Sequence, residues 1–401
     1  MSRPWIAVVG LTEAGLGALE PSARALVDEA EVLIGGARHL AMVPEGHPAA
    51  TATWKTPLAD TIDEIRGLEG RRVCVLATGD PMSFGIGVTL AREFGADALT
   101  VIPAPGAFSL AAARLGWPLD RVDCLTLHGR PLDLLNLYLR PGARLLILSH
   151  DGGTPAQVAQ RLRERGFGPS EITVLEHMGG AREARRAGTA DAWDDTPCAD
   201  LNTVAVACQA TEAAYSLSRA PGLPDDAFDH DGQLTKRAVR AATLAALAPQ
   251  PGALLWDVGA GCGSIAIEWA RSGGEAVAIE TKAARVGMIG RNAAALGAPL
   301  LRVVHGVAPD VLNDLPTPEA VFVGGGITVD GLAETCWDRL ARGGRLVANA
   351  VTAEGEGRLY ALCRQYGGEM SRIAVSHLDA VGGFHGWRPQ MPVTQWVAVK
   401  P

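Results

Sequence analysis

A chain of 401 residues, 48% hydrophobic and 20% charged, can bury a core and at roughly 150 residues per domain is too long for one small module. Its 48 Gly and 25 Pro fall short of a low-complexity composition. The balance of 36 Lys and Arg against 44 Asp and Glu leaves −8, which excludes a global attraction for nucleic acid or anionic lipid; an anionic ligand has to be held locally.

The opening stretch carries one Arg and an apolar run of five residues, Trp5 to Val9. That is too short for a signal segment and far below the roughly 20 residues of a membrane span. The seven cysteines (Cys74, Cys124, Cys198, Cys208, Cys262, Cys336, Cys363) are never closer than ten positions, so no C-x-x-C pair exists. No histidine shows metal-ligand spacing, and no metal is expected. An odd, unpaired cysteine set suits a reducing compartment, and a cytoplasmic protein with no membrane or nucleic-acid partner is expected.

Along the chain, short β-rich apolar runs alternate with Ala/Leu/Arg stretches of helical period. The runs are Ile6 to Gly10, Val73 to Thr78, Leu99 to Ile102, Leu145 to Ser149, Ile172 to Glu176 and Val204 to Ala207. This predicts an α/β fold with parallel sheets and crossover helices. Leu132 to Leu139 reads as a core or interface helix, His128 as either a turn residue or a cleft contact, and Arg161 to Arg165 and Arg182 to Arg186 as solvated faces. A Pro-, Gly- and Asp-rich stretch, Ser216 to Gly232, lacks either period and holds too few apolar residues for a core element. It places a linker at 211–229 between domains 1–210 and 230–401. From Asp231 onward there are 16 Lys and Arg against 15 Asp and Glu, net +1, leaving −9 before it. Strands then recur at Leu254 to Val258, Ala276 to Glu280, Arg302 to His305, Ala320 to Gly324, Arg345 to Ala350 and Gln395 to Val399, the pattern of one doubly wound domain.

The strongest local signal is Leu254-Leu-Trp-Asp257-Val-Gly259-Ala-Gly261-Cys-Gly263, a buried strand ending in Asp that runs into three alternate glycines before a helix. Glycine there lets the backbone turn tightly and lets a ligand come into contact at the carboxyl end of the strand. Glu280 closes the next strand, where a carboxylate can accept both hydroxyls of a ribose. Because Gly261-Cys-Gly263-Ser-Ile-Ala266 also fits G-x-G-x-x-[GA], the loop alone leaves S-adenosylmethionine and NAD both open, and with NAD a reductase. Together with Arg291-Asn292 and Leu340-Ala-Arg-Gly343-Gly344, however, it resembles class I methyltransferases.

Asp231-Gly-Gln-Leu-Thr235-Lys236-Arg237, Gly306-Val-Ala-Pro309 and Val321-Phe-Val-Gly324-Gly325-Gly326 narrow the likeness. Residues 231–399 resemble precorrin methyltransferase domains that methylate carbon 15 and decarboxylate a ring-C acetate. The resemblance implies a Rossmann-like domain that binds S-adenosylmethionine through Thr235, Asp257, Gly259, Gly261, Gly263, Glu280, Gly306, Gly324 and Gly325. Lys236 and Arg240 would add positive charge on the substrate side. Residues 380–389 are too rich in Gly and Pro for regular structure, yet contain Phe384, His385, Trp387 and Arg388. They are expected to close over the macrocycle, with Arg388 on a carboxylate and an aromatic ring on the conjugated face.

In the first half, Val8-Val-Gly10-Leu-Thr-Glu13-Ala-Gly15 follows one strand and Thr78-Gly79-Asp80-Pro81 another, a tight turn whose amides can take a carboxylate or adenine. With Ile34-Gly35-Gly36-Ala-Arg38-His39, Pro103 to Trp117, Leu127-His128-Gly129-Arg130 and Glu176-His177-Met-Gly-Gly180, residues 6–207 resemble tetrapyrrole methylases acting at carbon 5. That likeness implies two α/β subdomains and a second S-adenosylmethionine site using Gly79, Asp80, Pro81 and Ser109. Most relatives have G-x-G-P-G where Glu13 and Ala14 stand. Both halves in this order are similar to the fused methyltransferases of cobalamin synthesis that form precorrin-8 from a precorrin-6 intermediate, a family whose halves usually assemble as homo-oligomers. Methyl transfer by in-line displacement needs alignment more than acid–base help, and no catalytic residue is singled out.

Overall fold

The run Ile6–Leu11 (β1) is buried at every position, as a strand covered on both faces of a parallel sheet must be. It opens a series that continues through α1 (Pro21–Asp28), β2 (Val32–Gly35), α2 (Ala37–Leu40), β3 (Ala50–Thr53), α3 (Leu58–Arg66), β4 (Val73–Thr78), α4 (Ile86–Phe94) and β5 (Leu99–Ile102). These strands pair in parallel in the order β3-β2-β4-β1-β5. Alternation divides their side chains: Ile6, Val8, Ile34 and Val75 meet Ile62, Ile65 and Leu90 of α3 and α4, whereas Ala7, Val9, Leu33 and Leu76 meet Ala23 and Val27 of α1.

A second layer follows, with α5 (Ala107–Leu115), β6 (Asp123–Thr126), β7 (Arg144–Leu148), α6 (Thr154–Glu164), β8 (Glu171–Glu176), β9 (Ala184–Thr189) and β10 (Asn202–Ala207). Its order is β6-β7-β10-β8-β9, and only the β6–β7 pair is parallel. The expectation of parallel sheets throughout is corrected here. The connection from β8 to β9 is too short for a helical crossover and can join only antiparallel neighbours.

The computed structural model describes residues 4–401. They divide into a first unit running to Arg130 and from Leu139 to Tyr215, and a second unit of Pro131–Tyr138 and Ser216–Pro401. Among the described residues no helix is long and apolar enough to cross a membrane.

The second unit contains α7 (Arg237–Leu247), β11 (Leu254–Val258), α8 (Ser264–Arg271), β12 (Glu275–Glu280), α9 (Ala283–Ala295), β13 (Arg302–His305), β14 (Ala320–Val323), α10 (Leu332–Arg339), β15 (Arg345–Ala350), α11 (Ala353–Tyr366), β16 (Glu369–Ile373), β17 (Ser376–Val381), β18 (Phe384–Pro389) and β19 (Val393–Val399). Seven strands form one sheet, β13-β12-β11-β14-β15-β19-β16, with β19 antiparallel to both neighbours. The order reverses at β11 and β14, so the crevice of this sheet opens beyond their carboxyl ends. Trp256, Val258, Val323 and Trp396 pack toward α10 and α11, and Leu255, Ala278 and Phe322 toward α7, α8 and α9. In this unit Leu132–Leu137 is a 3-10 helix beside α9, where Asn136 Nδ2 donates to Ala294 O (2.9 Å).

Two expectations fail here. The stretch 216–230 is no loose linker: Leu223 and Phe228 are 2% and 4% exposed and pack with Cys262, Ile267 and Leu296. Its polar groups are equally engaged. Glu268, buried in α8, accepts from Gly222 N (2.6 Å), Leu223 N (3.0 Å) and Arg240 Nε (2.6 Å). Arg240 also donates to Asp225 Oδ1 (3.1 Å), Thr235 O (2.5 Å) and Leu223 O, and lies over the Phe228 ring. Residues 380–389, expected to be irregular, form most of the β17–β18 hairpin turned at Gly382-Gly383.

Removing one partner of a buried, fully bonded ion pair leaves the other charge uncompensated. Glu268→Ala is therefore expected to destabilise the second unit by about 3–5 kcal/mol, read from denaturant unfolding followed by tryptophan fluorescence; a loss below about 1 kcal/mol, the range of an exposed pair, would contradict the clamp.

Candidate functional site

In the second unit, the turn after β11 is shaped by glycine. Gly259, Gly261 and Gly263 have φ of +74°, +62° and +83°, a region that L side chains rarely adopt. A Cβ on Gly259 would stand 3.0 Å from Gly325 N, so the turns after β11 and β14 meet backbone to backbone. A Cβ on Gly325 would meet nothing within 4 Å, and the space above that turn is open. The structure thus brings together Asp257, Gly259, Gly261, Gly263, Glu280, Gly324 and Gly325. Gly306 joins them at the end of β13, donating its N–H to Glu280 O (3.1 Å).

Two carboxylates are buried in this crevice, Asp257 at 1% exposure and Glu280 at 4%. Asp257 Oδ2 accepts Ala266 N (3.0 Å), whereas Oδ1 is buried without a partner. Burial pushes the Asp257 carboxyl up to about 7, opposed by the Ala266 amide and reinforced by the charge on Glu280. Glu280 Oε1 accepts Thr281 N (2.9 Å) and Lys282 N (3.0 Å), and Oε2 accepts Gly261 N (2.8 Å). Glu280 therefore fixes the glycine turn; Oε1 also accepts the Thr281 hydroxyl (3.3 Å), and Oε2, with the Gly261 amide alone, keeps a lone pair. An orphaned buried oxygen beside glycines with open space above them fits a ligand that brings its own donors.

Residues 229–235 border this turn, since a Cβ on Gly261 would stand 3.2 Å from Gln233 O. Asn292, noticed in the sequence only as part of a pattern, ties the two together. Its Oδ1 accepts Asp229 N (2.8 Å), and its Nδ2 donates to Asp229 O (2.8 Å) and Cys262 O (3.0 Å). Thr235 is half-buried here. Lys236 is exposed, 3.9 Å from Asp225. Arg240 is a correction: its side chain is 0% exposed and spent on Glu268 and Asp225, so it offers no charge to a substrate.

The β17–β18 register also separates the four expected lid residues. Trp387 pairs with Leu378 and His385 with Ala380 on one face, while Phe384 pairs with Val381 and Arg388 with His377 on the other. Arg388 lies 3.7 Å from Asp379. Phe384 and Trp387 are 82% and 71% exposed.

In the first unit the carboxyl ends of β1 and β4 close in the same manner. Gly10 accommodates Gly79 O and Ala104 N where a Cβ would overlap both, and a Cβ on Gly79 (φ +57°) would stand 2.8 Å from Gly106 Cα. Asp80 Oδ1 accepts Met82 N (2.8 Å) and fixes the turn after Gly79. Pro81 is buried, Asp80 half-buried, and Ser109 lies exposed on α5, which starts just after Gly106.

Beside this turn sits a polar cluster that sequence reasoning did not single out. Glu13, 9% exposed at its side chain, pairs with Arg38, with His177 Nδ1 (3.1 Å) and more distantly with Arg182 (3.9 Å). Arg38 Nη2 (2.7 Å) and His39 Nε2 (3.0 Å) meet Thr78 Oγ1, the residue before Gly79. Glu13 thus joins the loop after β1 to the loop after β8. The signal was present as the Glu in place of a proline, but only the fold brings its partners together. Burial pushes the His39 imidazole down to about 4, the Arg38 cation adding to the effect and Glu13 opposing it.

Comparison with known proteins accords with this pair of glycine-lined sheets. Residues 6–193 match the model of the tetrapyrrole (corrin/porphyrin) methylases, and residues 226–400 that of the precorrin methyltransferase domain. A precorrin-6Y C(5,15)-methyltransferase [decarboxylating] from Sinorhizobium sp is 46% identical over 98% of this chain and 96% of its own. The protein of that name from Mycobacterium tuberculosis (strain ATCC 25618 / H37Rv) is 44% identical over 98% and 100%. The chain belongs to the precorrin-6Y C5,15-methyltransferase (decarboxylating) family. It is a methyltransferase, and enzymes of this family generally use S-adenosylmethionine. A solved structure, the C-terminal domain of precorrin-6Y C5,15-methyltransferase from Rhodobacter capsulatus, is 46% identical and covers 46% of this chain and 100% of its own, with a TM-score of 0.44. The family does not favour the dinucleotide reading of Gly261 to Ala266.

His39 supplies a pH test. A free imidazole titrates near 6.5, so between pH 6.5 and 4 the unfolded chain binds a proton that the folded one refuses. Stability is full above that window and falls as pH falls through it. The unfolding free energy of the first unit, from urea-dependent hydrogen exchange at β4, is expected to drop more steeply from pH 7 to 4.5 than in His39→Gln, by about 2 kcal/mol; parallel profiles would refute this.

Proposed function

We propose that each unit carries its own S-adenosylmethionine site and methylates a precorrin-6 intermediate at a different carbon. The first unit acts at carbon 5; the second acts at carbon 15 and releases the ring-C acetate carboxylate as carbon dioxide, giving precorrin-8. The observation that carries this reading is the presence of two separate sheets, one parallel and one parallel over β13-β12-β11-β14-β15, each ending in its own glycine-lined turn, Gly10 with Gly79 and Gly259 with Gly325. The resemblance of the whole chain to fused relatives of that name supports the substrate, and family habit supports a cytoplasmic homo-oligomer.

When bound, S-adenosylmethionine supplies an electrophilic methyl on a sulfonium whose leaving thioether needs no proton. The chain's own task is then alignment, for which orientation can contribute roughly 7–11 kcal/mol. In the second unit Glu280 would take the ribose hydroxyls while its bond to Gly261 holds the turn. Asp257 Oδ1 would accept a ligand donor, and the 229–235 segment held by Asn292 would border the crevice. In the first unit the turn Gly79-Asp80-Pro81 and Ser109 would hold the second molecule. On the substrate side of the second unit, Lys236 and one face of the β17–β18 hairpin remain the candidates, Trp387 with His385 or Arg388 with Phe384.

Calorimetry with S-adenosylhomocysteine tests the arrangement. The ligand-free full-length chain is expected to bind two molecules, Glu280→Ala one, and Gly79→Leu the other one. A stoichiometry of one for the unmodified protein would overturn the two-site reading.

A further inference from the structure

The turn after Gly79 presents an aromatic ring to solvent at a conformational penalty. Phe84 has φ +56°, a left-handed conformation that a bulky residue holds only where its surroundings impose it. The segment around it is tightly wound: Cβ atoms on Gly85 and Gly87 would stand 2.6 Å and 2.8 Å from Pro81 O, so the chain wraps closely around Pro81. The ring is not turned into the core. It is 51% exposed, with Met82 beside it at 46%.

Two neighbours define what this surface suits. Phe108 of α5 stands edge-on behind the ring, centroids 5.9 Å apart, one residue before Ser109. The Arg130 guanidinium lies 5.9 Å from the ring centroid and, among the described residues, has no acidic partner. Beside Arg130 stands a pair of histidines: His128 and His150 have ring centroids 5.5 Å apart, and His150 Nδ1 accepts Gly129 N at 3.5 Å. An unneutralised guanidinium in a half that carries −9 overall makes a local attraction for anions.

We propose that Phe84 and Arg130 form the macrocycle-binding surface of the carbon 5 site, a proposal that rests on the function assigned above to the first unit. A tetrapyrrole presents a broad conjugated face and peripheral carboxylates. Phe84, with Met82, takes the face; Arg130 takes a carboxylate, with His128 and His150 beside it. Because the ring is held by the same turn that begins at Gly79, the surface is fixed relative to the proposed cofactor loop. Both side chains determine substrate affinity and position, and neither transfers a proton.

The test uses the full-length chain and the precorrin already methylated at carbon 15 and decarboxylated, titrated by absorbance in the presence of S-adenosylhomocysteine. Arg130→Gln and Phe84→Ala are each expected to raise the macrocycle Kd, and the KM for carbon 5 methylation, about tenfold. Arg130→Lys should recover part of the loss by keeping the charge. S-adenosylhomocysteine stoichiometry and methylation at carbon 15 should be unchanged, which shows that the variants are folded. Wild-type Kd and KM in both variants, with the unmodified enzyme active at carbon 5, would overturn the surface alone. An unmodified enzyme that transfers no methyl to carbon 5 would overturn the function of the first unit and this surface with it.

Discussion

At the carboxyl end of each main parallel sheet, backbone must approach backbone more closely than any side chain allows. Gly10 against Gly79 and Gly79 against Gly106 meet this condition in the first unit, and Gly259 against Gly325 meets it in the second. A Cβ on Gly10, Gly79 or Gly259 would push apart the turns that form the floor of each crevice. The glycines are therefore the precondition for the carboxylates around them. Only because the turn after β11 folds back on β14 do Asp257 and Glu280 share one buried space.

The second unit adds a strap to this floor. The Arg240–Glu268 pair lies in the interior and anchors residues 222–235 through backbone groups, and Asn292 fastens the next part of the strap to the glycine turn itself. The first unit reaches a similar end differently. There Glu13, a single side chain, gathers Arg38 from α2 and His177 from the loop after β8. In both units charge is buried close to the crevice, but it is held in pairs and does not face a ligand unmatched. The exceptions lie in the second unit, where Asp257 Oδ1 has no partner and Glu280 is held by amides and the Thr281 hydroxyl instead of a cation; Arg130 of the first unit, which is exposed, has no acidic partner among the described residues.

Much of this was legible before the fold. Strands buried on both faces, such as Ile6–Leu11 and Leu254–Val258, announced themselves as apolar runs, and the glycine spacing after Asp257 marked the crevice. What escaped has physical causes. Ala184–Thr189 and Glu369–Ile373 lie at sheet edges with polar sequences, so they carry no apolar run. The stretch 216–230 is poor in apolar residues, yet the two that matter, Leu223 and Phe228, are buried, and its polar backbone is satisfied by residues 40 or more positions away. Arg240 looked available because its burial depends on Glu268, 28 positions on. The register that separates Trp387 from Arg388 likewise follows from a pairing that sequence spacing does not display.

The central claim is that one chain carries two methyl-transfer centres acting on one macrocycle. Incubation of the full-length enzyme with the precorrin-6 intermediate and S-adenosylmethionine labelled with carbon-13 at the methyl group, followed by mass spectrometry and NMR of the product, tests it most directly. The account predicts two labelled methyl groups, on carbons 5 and 15, and loss of one carboxyl as carbon dioxide. A product with a single labelled methyl and no further turnover, or with both labels but the ring-C acetate intact, would contradict it.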